Sequence, residues 1–454
     1  MLEYLRDHWT KWRLRARYER LIQERVLDLM ERRGPQRESE DAEGWTLLGG
    51  SKSPFDGGRR EDLRSQARRL VRTNPYARNA LRLLEVYVVG PGLKLTPCPY
   101  DPNSLLATEE SQLVEQLWRE FLTQNQAHFS YCEYARRAWR DGEVFLRLYG
   151  GQSWPPTVRF VDPEAIAATR DEPDSQGILT EPGDVESVVA YVRVDPRNGE
   201  VIEQIPATEM LQTRLGVDSN EKRGITVFAS IVEALSCYDR WLETELQARQ
   251  LQASIVLWRR VNGSPSQVMG LAESAGTGRT LSGLGKERYH PGSIVTTSQG
   301  TDLQFLQPNT NFGDAVPLGR MVLLSIAAGA GLPEFMLSSD ASNGAYASTM
   351  VAEGPAVKLF ESEQQFFAHE FERLWRWVVE QGVAAGILSD GVLERVQPQW
   401  SFPQLVNRNR PAERMADVQL VQAGVLSRAE VGRRDQVDPA VMQAELAVET
   451  AALS

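Results

Sequence analysis

Val357, Phe360, Phe367, Phe371, Leu374 and Val378 recur at spacings of three, four and seven, while Glu361, Glu363, Glu370, Glu372 and Arg373 fall mostly between them. That spacing puts the apolar side chains on one face of a long helix, which needs a core of similar length to lie against. Upstream, Phe312 to Pro333 reads as a second, more apolar helix, ended by Gly331 and Pro333 because proline cannot donate the next backbone bond. Between the two lies Ser338-Ser-Asp-Ala-Ser-Asn-Gly-Ala-Tyr-Ala-Ser-Thr349, whose short polar residues favour turns by bonding their own backbone. Everything else in the chain has to be arranged around helix, polar loop and long helix.

The remaining pattern predicts an α+β fold, mainly helical. Residues 3 to 33 form a helical run carrying nine Lys and Arg against six Asp and Glu, and 34 to 60, with its Gly-Pro and Gly-Gly pairs, reads as linker. Glu61 to Val89 is amphipathic and is broken at Asn74-Pro75, because proline pushes the residue before it out of the helical region. From 108 to 140 the period is again helical, with Leu113, Leu117, Trp118, Phe121 and Trp139 as core residues. Asp141-Gly142 then turns the chain into a strand, and alternation in Val158 to Val161 and Val188 to Val194 predicts two more, with a hairpin at Asp195 to Gly199. A long helix is predicted from Arg223 to about Arg259, on the order of 45 Å at 1.5 Å per residue. Arg260 to Gln307 is rich in Gly and Ser with two short extended runs, 293–297 and 303–306. Gly386 and Gly391 mark turns, Gln397 to Pro403 is an extended connector, and 412–423 and 440–451 are closing helices.

With 454 residues the chain can hold two or three core-bearing regions, and nothing in it approaches the run of about 18 apolar residues that a membrane span requires. Its first residues lack the apolar stretch of a signal peptide. Cys98, Cys132 and Cys237 are odd in number and far apart, which fits buried reduced thiols better than a disulfide framework. The net charge of −11 disfavours tight static binding of nucleic acid, while suiting a passage through which a polyanion slides without sticking.

Signatures of enzymes fail on inspection. Gly283-Leu-Gly-Lys286 suggests a phosphate-binding loop, but Thr280 occupies the first required glycine and Glu287 the required Ser or Thr. His369-Glu370 begins a zinc-protease pattern whose second histidine is replaced by Arg373. His8, His128, His290 and His369 are widely separated, and no GxSxG occurs. Asp141, Glu143 and Asp162 invite a metal, and with it a metal-dependent nuclease, yet no further ligand stands at suitable spacing. The expectation is therefore no catalytic residue, no metal and no cofactor.

Several of these pieces, in this order, resemble the portal proteins of tailed bacteriophages, and most closely their lambda-like branch. The resemblance rests on the helix ending Gly331-Leu-Pro-Glu-Phe-Met-Leu337, the loop Asp340 to Ser348, and the long helix with paired Gln364 and Gln365. It also rests on the Arg64 to Ala80 run leading to Val88-Val-Gly-Pro-Gly-Leu93, on Asp141-Gly-Glu143 and Val161-Asp-Pro163, and on Gly424 to Pro439 near the end. In that branch the loop usually reads Asp, a hydroxyl residue, then Asn-Tyr-Ser-Ser; here Ala345 stands in place of that Asn and Ala347 replaces one Ser.

What the resemblance implies is a portal fold of wing, stem, clip and crown. Residues 1–60 would be an N-terminal arm and linker, 61–222 an α+β wing, 223–259 the descending stem helix, 260–307 the clip, and 308–333 the returning stem helix. A channel loop would span 334–349, the long wing helix and connector 350–403, and a helical crown 404–454. Such a chain forms a ring, dodecameric in the family, at one capsid vertex of a virion assembled in the host cytoplasm. It passes double-stranded DNA in packaging and ejection, and it docks the terminase large subunit, the head–tail adaptor, and the major capsid and scaffold proteins. Ser338, Ser339, Asp340, Ser342, Asn343, Tyr346 and Ser348 would face the DNA. Arg259, Arg260, Arg279, Lys286 and Arg288 would meet partners at the clip. Another ring-forming head–tail connector is the rival of the same class, though such connectors are usually much shorter.

Overall fold

The computed structural model describes residues 57–151, 154–169, 172–197, 199–253, 257–261, 301–305, 312–342, 346–405, 410–435, 437 and 439–453. All belong to the unit Lys52–Ser454. Helix α1 (Gly57–Thr73) and helix α2 (Pro75–Leu84) meet at Asn74, whose side chain accepts the N–H groups of Tyr76 and Ala77, so the expected break is also a helix cap. The same amide donates to both oxygens of Asp239 at 2.9 Å, tying the corner to a distant helix. A π-helical turn, Glu85–Val89, carries α2 on to Gly90, where φ is +55°.

Strand β1 (Lys94–Pro99) follows, then helix α3 (Leu105–Asn125) and helix α4 (Tyr131–Asp141). The expected single helical stretch is thus two helices. The Asn125 side chain causes the break, donating to the carbonyls of Phe121 and Pro156 and accepting from Val158 N–H. Gly142, at φ +83°, closes α4 in the left-handed conformation and starts β2 (Glu143–Tyr149). Strand β2 is the centre of a three-stranded antiparallel sheet, between β3 (Thr157–Val161) and β7 (Met210–Arg214). A second antiparallel sheet joins β4 (Ile178–Glu181), β5 (Asp184–Val194) and β6 (Val201–Pro206), with the expected hairpin between the last two. Because β2 is buried on both faces, Val144, Leu146 and Leu148 reach the main core while Phe145 enters a smaller one with Ile166, Tyr191 and Ile205.

The helix expected from Arg223 to Arg259 is shorter: α5 runs from Val232 to Ala253, about 33 Å. Upstream, backbone groups are committed elsewhere. Ile225 N–H bonds the Leu215 carbonyl and Val227 N–H bonds the Trp139 carbonyl, so the chain is not helical there, and Ala229 and Ile231, bonding the Thr226 and Phe228 carbonyls, make only turns that lead into α5. Downstream, Leu257–Val261 is strand β8, paired antiparallel with β9 (Thr301–Phe305). Helix α6 (Phe312–Gly329), the short α7 (Glu334–Ser338) and the long α8 (Tyr346–Ala384) come next. After a single-turn helix α9 (Val392–Arg395), the expected connector proves to be strand β10 (Val396–Ser401), paired with β1 from Lys94↔Ser401 to Pro99↔Val396. Helices α10 (Arg410–Gln422), α11 (Arg428–Arg434) and α12 (Pro439–Leu453) end the described chain, α11 lying inside what reads in sequence as a joining segment.

Helix α8 is the spine. Phe360, Phe367, Phe371 and Leu374 are fully buried and Val378 nearly so, whereas Val357 is only half-buried. The phenylalanine rings meet α4, the π-helical turn and β10, as in Trp139 on Phe367, Tyr87 on Phe360 and Trp400 on Phe371. Cys98 and Cys132 are half-buried free thiols; Cys237 is exposed, because it sits on the outer face of α5, so the expectation of three buried thiols fails there.

Candidate functional site

The expected polar loop is narrower than its sequence suggests. Glu334 to Ser338 is already helix α7, and Tyr346 opens α8, so Ser348 and Thr349 lie in the first turn of that helix. Asn343 and residues 344–345 lie outside the described residues. What remains open is Ser339 to Ser342, exposed throughout and folded by its own side chains. Ser338 Oγ donates to the Glu334 carbonyl at 2.8 Å and accepts from Asp340 N–H at 3.2 Å. Ser342 N–H donates to Asp340 Oδ1 at 2.9 Å, a turn closed by an aspartate. Ser339 takes the left-handed conformation, φ +58°, to end α7.

Two contacts hold the base of this loop. Gly331, φ +68°, turns the chain out of α6, with Leu332 N–H returning to the Ala327 carbonyl. From α2, the Asn79 amide donates to the carbonyls of Met336 and Leu337 at 2.9 and 2.8 Å. Asn79 was legible in sequence only as part of a motif; nothing local shows that its partner lies more than 250 residues away.

Asp340 makes no ion pair among the described residues. Hydrogen bonds from Ser342 hold the Asp340 carboxyl below the usual aspartate range, so it is ionised at neutral pH. Arg320, whose charge also favours the ionised Asp340, is engaged by Glu334 through a fork of bonds at 2.9–3.1 Å, which raises its pKa and sets a carboxylate in competition with phosphate for it. Around the loop, Val316, Leu318, Met321 and Leu324 on α6 and Val351 on α8 are exposed, Met321 at 67% and Val351 at 79%. A cleft of about 510 Å³ runs between these helices, lined by Leu324, Pro333, Phe335, Ala352 and Pro355 with Arg320, Glu334 and Asp340 at its polar side. Exposed apolar side chains clustered beside a cleft are the pattern of contact surfaces and ligand grooves.

The candidate basic contacts scatter. Arg259 and Arg260 lie in β8, opposite Leu303 and Asp302 of β9, while Arg279, Lys286 and Arg288 lie outside the described residues. The N-terminal run 3–33 does too.

Asp141, Glu143 and Asp162 do come together, but around arginines. Arg64 Nη2 reaches Glu143 at 2.5 Å, Arg223 holds both Glu143 oxygens at 2.6–3.0 Å, and Asp141 is shared by Arg68 and Arg140. Burial lowers the pKa of Arg64; burial also opposes ionisation of Asp141, yet its hydrogen bonds from Arg140 and Arg68 win and hold it below the usual range. A metal would have to displace these guanidiniums, and among the described residues no group of three or more His, Cys, Asp or Glu is placed to hold one.

Against known proteins, residues 39–364, well over half of the chain, match the family described as phage portal protein, lambda family. No curated protein matches. Among solved structures, a chain from the neck of an empty GTA particle computed with C6 symmetry is 14% identical, with 82% of this chain and 94% of that chain covered at a TM-score of 0.46. A chain from the virion of a native gene transfer agent particle is also 14% identical, with coverages of 87% and 100% and a TM-score of 0.48.

Proposed function

This chain belongs to the lambda family of phage portal proteins, a virion component acting at a capsid vertex, and on that premise we propose how its parts serve the role. Copies close into a ring, twelve by family resemblance, through the exposed apolar faces of α6 and the start of α8. Residues 61–222 make the outer wing, α5 and α6 the stem, the β8–β9 region the clip, α8 the wall of the wing, and α10 to α12 the crown. Ser338 to Ser342 face the hole, followed by Asn343, Tyr346 and Ser348.

Double-stranded DNA enters during packaging and leaves at ejection through that hole. One carboxylate and a set of short hydroxyls per subunit offer phosphates no ion pair to hold them, since Arg320 is already occupied by Glu334. A terminase docks on the clip, where Arg259, Arg260, Arg279, Lys286 and Arg288 offer cationic contacts, and a head–tail adaptor later takes that place. Capsid and scaffold proteins meet the wing. The role is mechanical, and the hydrolysis that drives DNA belongs to the terminase.

The observation that carries this reading is the loop itself: a self-folded polar turn whose neighbouring cation Arg320 is paired with Glu334, flanked by exposed apolar helix faces. Substituting Asp340→Lys and Ser342→Lys tests it. Rings of unchanged mass that no longer fill with DNA are expected, whereas normal packaging would remove the loop from the DNA path.

A further inference from the structure

Helices α1 and α2 carry eight arginines against Glu61 and Asp62, in a chain whose net charge is −11. Three of the eight turn inward: Arg60 to Glu221, Arg64 to Glu143, and Arg68 to Asp141, Asp162 and Glu164. The guanidiniums of Arg69, Arg72, Arg78 and Arg82 are exposed and make no ion pair among the described residues. Arg69 and Arg72, one helical turn apart, share a cleft of about 320 Å³ with Ser65, Thr73, Arg68 and Glu164. The Glu164 carboxylate there is taken by Arg68 at 3.1 Å.

We propose that this ridge is a second, external contact for the phosphate backbone of double-stranded DNA, separate from the channel loop. Charge alone would also fit an acidic protein. A protein interface, however, is built on a desolvated apolar or aromatic centre, and among the described residues no large apolar side chain is exposed on α1 or α2. Two exposed arginines at helical spacing, flanked by the hydroxyls of Ser65 and Thr73 and with no exposed large apolar side chain beside them, match a sugar–phosphate strand, which is held by guanidiniums and hydroxyls without base contacts. Repetition of the ridge around a ring adds weak contacts into one retained duplex. The surface thus holds DNA lying against the particle's vertex while the loop lets the threaded segment slide.

Closed-circular duplex DNA separates the two sites, because it cannot thread a ring that has already closed. Wild-type rings are mixed with such circles at salt from about 50 to 200 mM, beside rings of R69Q/R72Q, and binding is read by gel retardation. The wild type is expected to retain circles at low salt, with a salt slope steeper than that of the variant by at least roughly 1.8, two contacts at about 0.9 each for every subunit engaged. Over that fourfold range the wild type therefore loses at least about tenfold more affinity than the variant, the factor for a single engaged subunit. Equal binding by the two proteins, or no binding by the wild type at the lowest salt, overturns the proposal. So does failure of the variant to close rings, which would make these arginines contacts between copies. A chain that stays monomeric sinks the ring reading only, since the same comparison of wild type and variant then runs on monomers.

Discussion

The Asn79 amide donates to the Leu337 carbonyl at 2.8 Å, and in doing so fastens the base of the 338–342 loop to helix α2, more than 250 residues earlier. The same nitrogen also serves Met336, so two carbonyls at the end of α7 depend on one side chain. Asn79→Ala leaves both without that donor in a half-buried setting, a cost of about 1–3 kcal/mol confined to this corner. Hydrogen exchange across 334–342 is expected to quicken while the rest of α8 stays protected. Unchanged exchange there would mean the loop is held by other contacts.

Glu143 is completely buried between Arg64 and Arg223, so removing its charge strands two guanidiniums in the interior. Glu143→Gln is expected to cost about 3–5 kcal/mol, as for other buried pairs broken from one side. Denaturant midpoints of the two proteins at neutral pH decide it, and a loss under 1 kcal/mol, far short of that range, would show that the network is better hydrated than it looks.

Acid should act through Asp141. Its folded pKa is depressed, so its contribution is present above the unfolded value and is lost as pH falls through the folded one. Thermal midpoints measured down a pH series are expected to drop in the acid range, and less so for Asp141→Asn, which starts lower. Parallel curves for the two would remove Asp141 from the acid response.

Glu363 has the opposite sign. Burial raises its pKa against a single hydrogen bond from Trp139 Nε1 at 2.8 Å, so its favourable share is present at low pH and lost as pH rises through the folded value. Glu363→Gln keeps an acceptor for Trp139 and removes the buried charge. The variant is expected to melt higher than the wild type at pH 8, with the gap narrowing as pH falls into the acid range; a wild type that melts higher at pH 8 contradicts this.

Where local chemistry fixed the outcome, the sequence could be read directly. Asn74-Pro75 broke a helix, Gly331 ended another, and the spacing from Phe360 to Val378 laid α8 on the core, because caps, turns and amphipathic faces depend on a few neighbouring residues. Residues whose backbone bonds are claimed from afar misled it. The segment 224–231 has a helical period, yet the amides of Ile225 and Val227 are spent on Leu215 and Trp139, and β10 is a strand because β1, some 300 residues earlier, supplies the other edge. At the loop, the hydroxyls and Asp340 were legible from composition. The Asn79 fastening and the pairing of Arg320 with Glu334 were not, since both are products of the tertiary fold.

The most direct test is an electron cryomicroscopy reconstruction of the purified full-length chain. The account predicts an annular particle whose narrowest opening is lined by Asp340 and Ser342 of every subunit, with the exposed faces of α6 and α8 buried between neighbours. A solitary monomer, or a ring that carries those two residues on its outer rim, would contradict it.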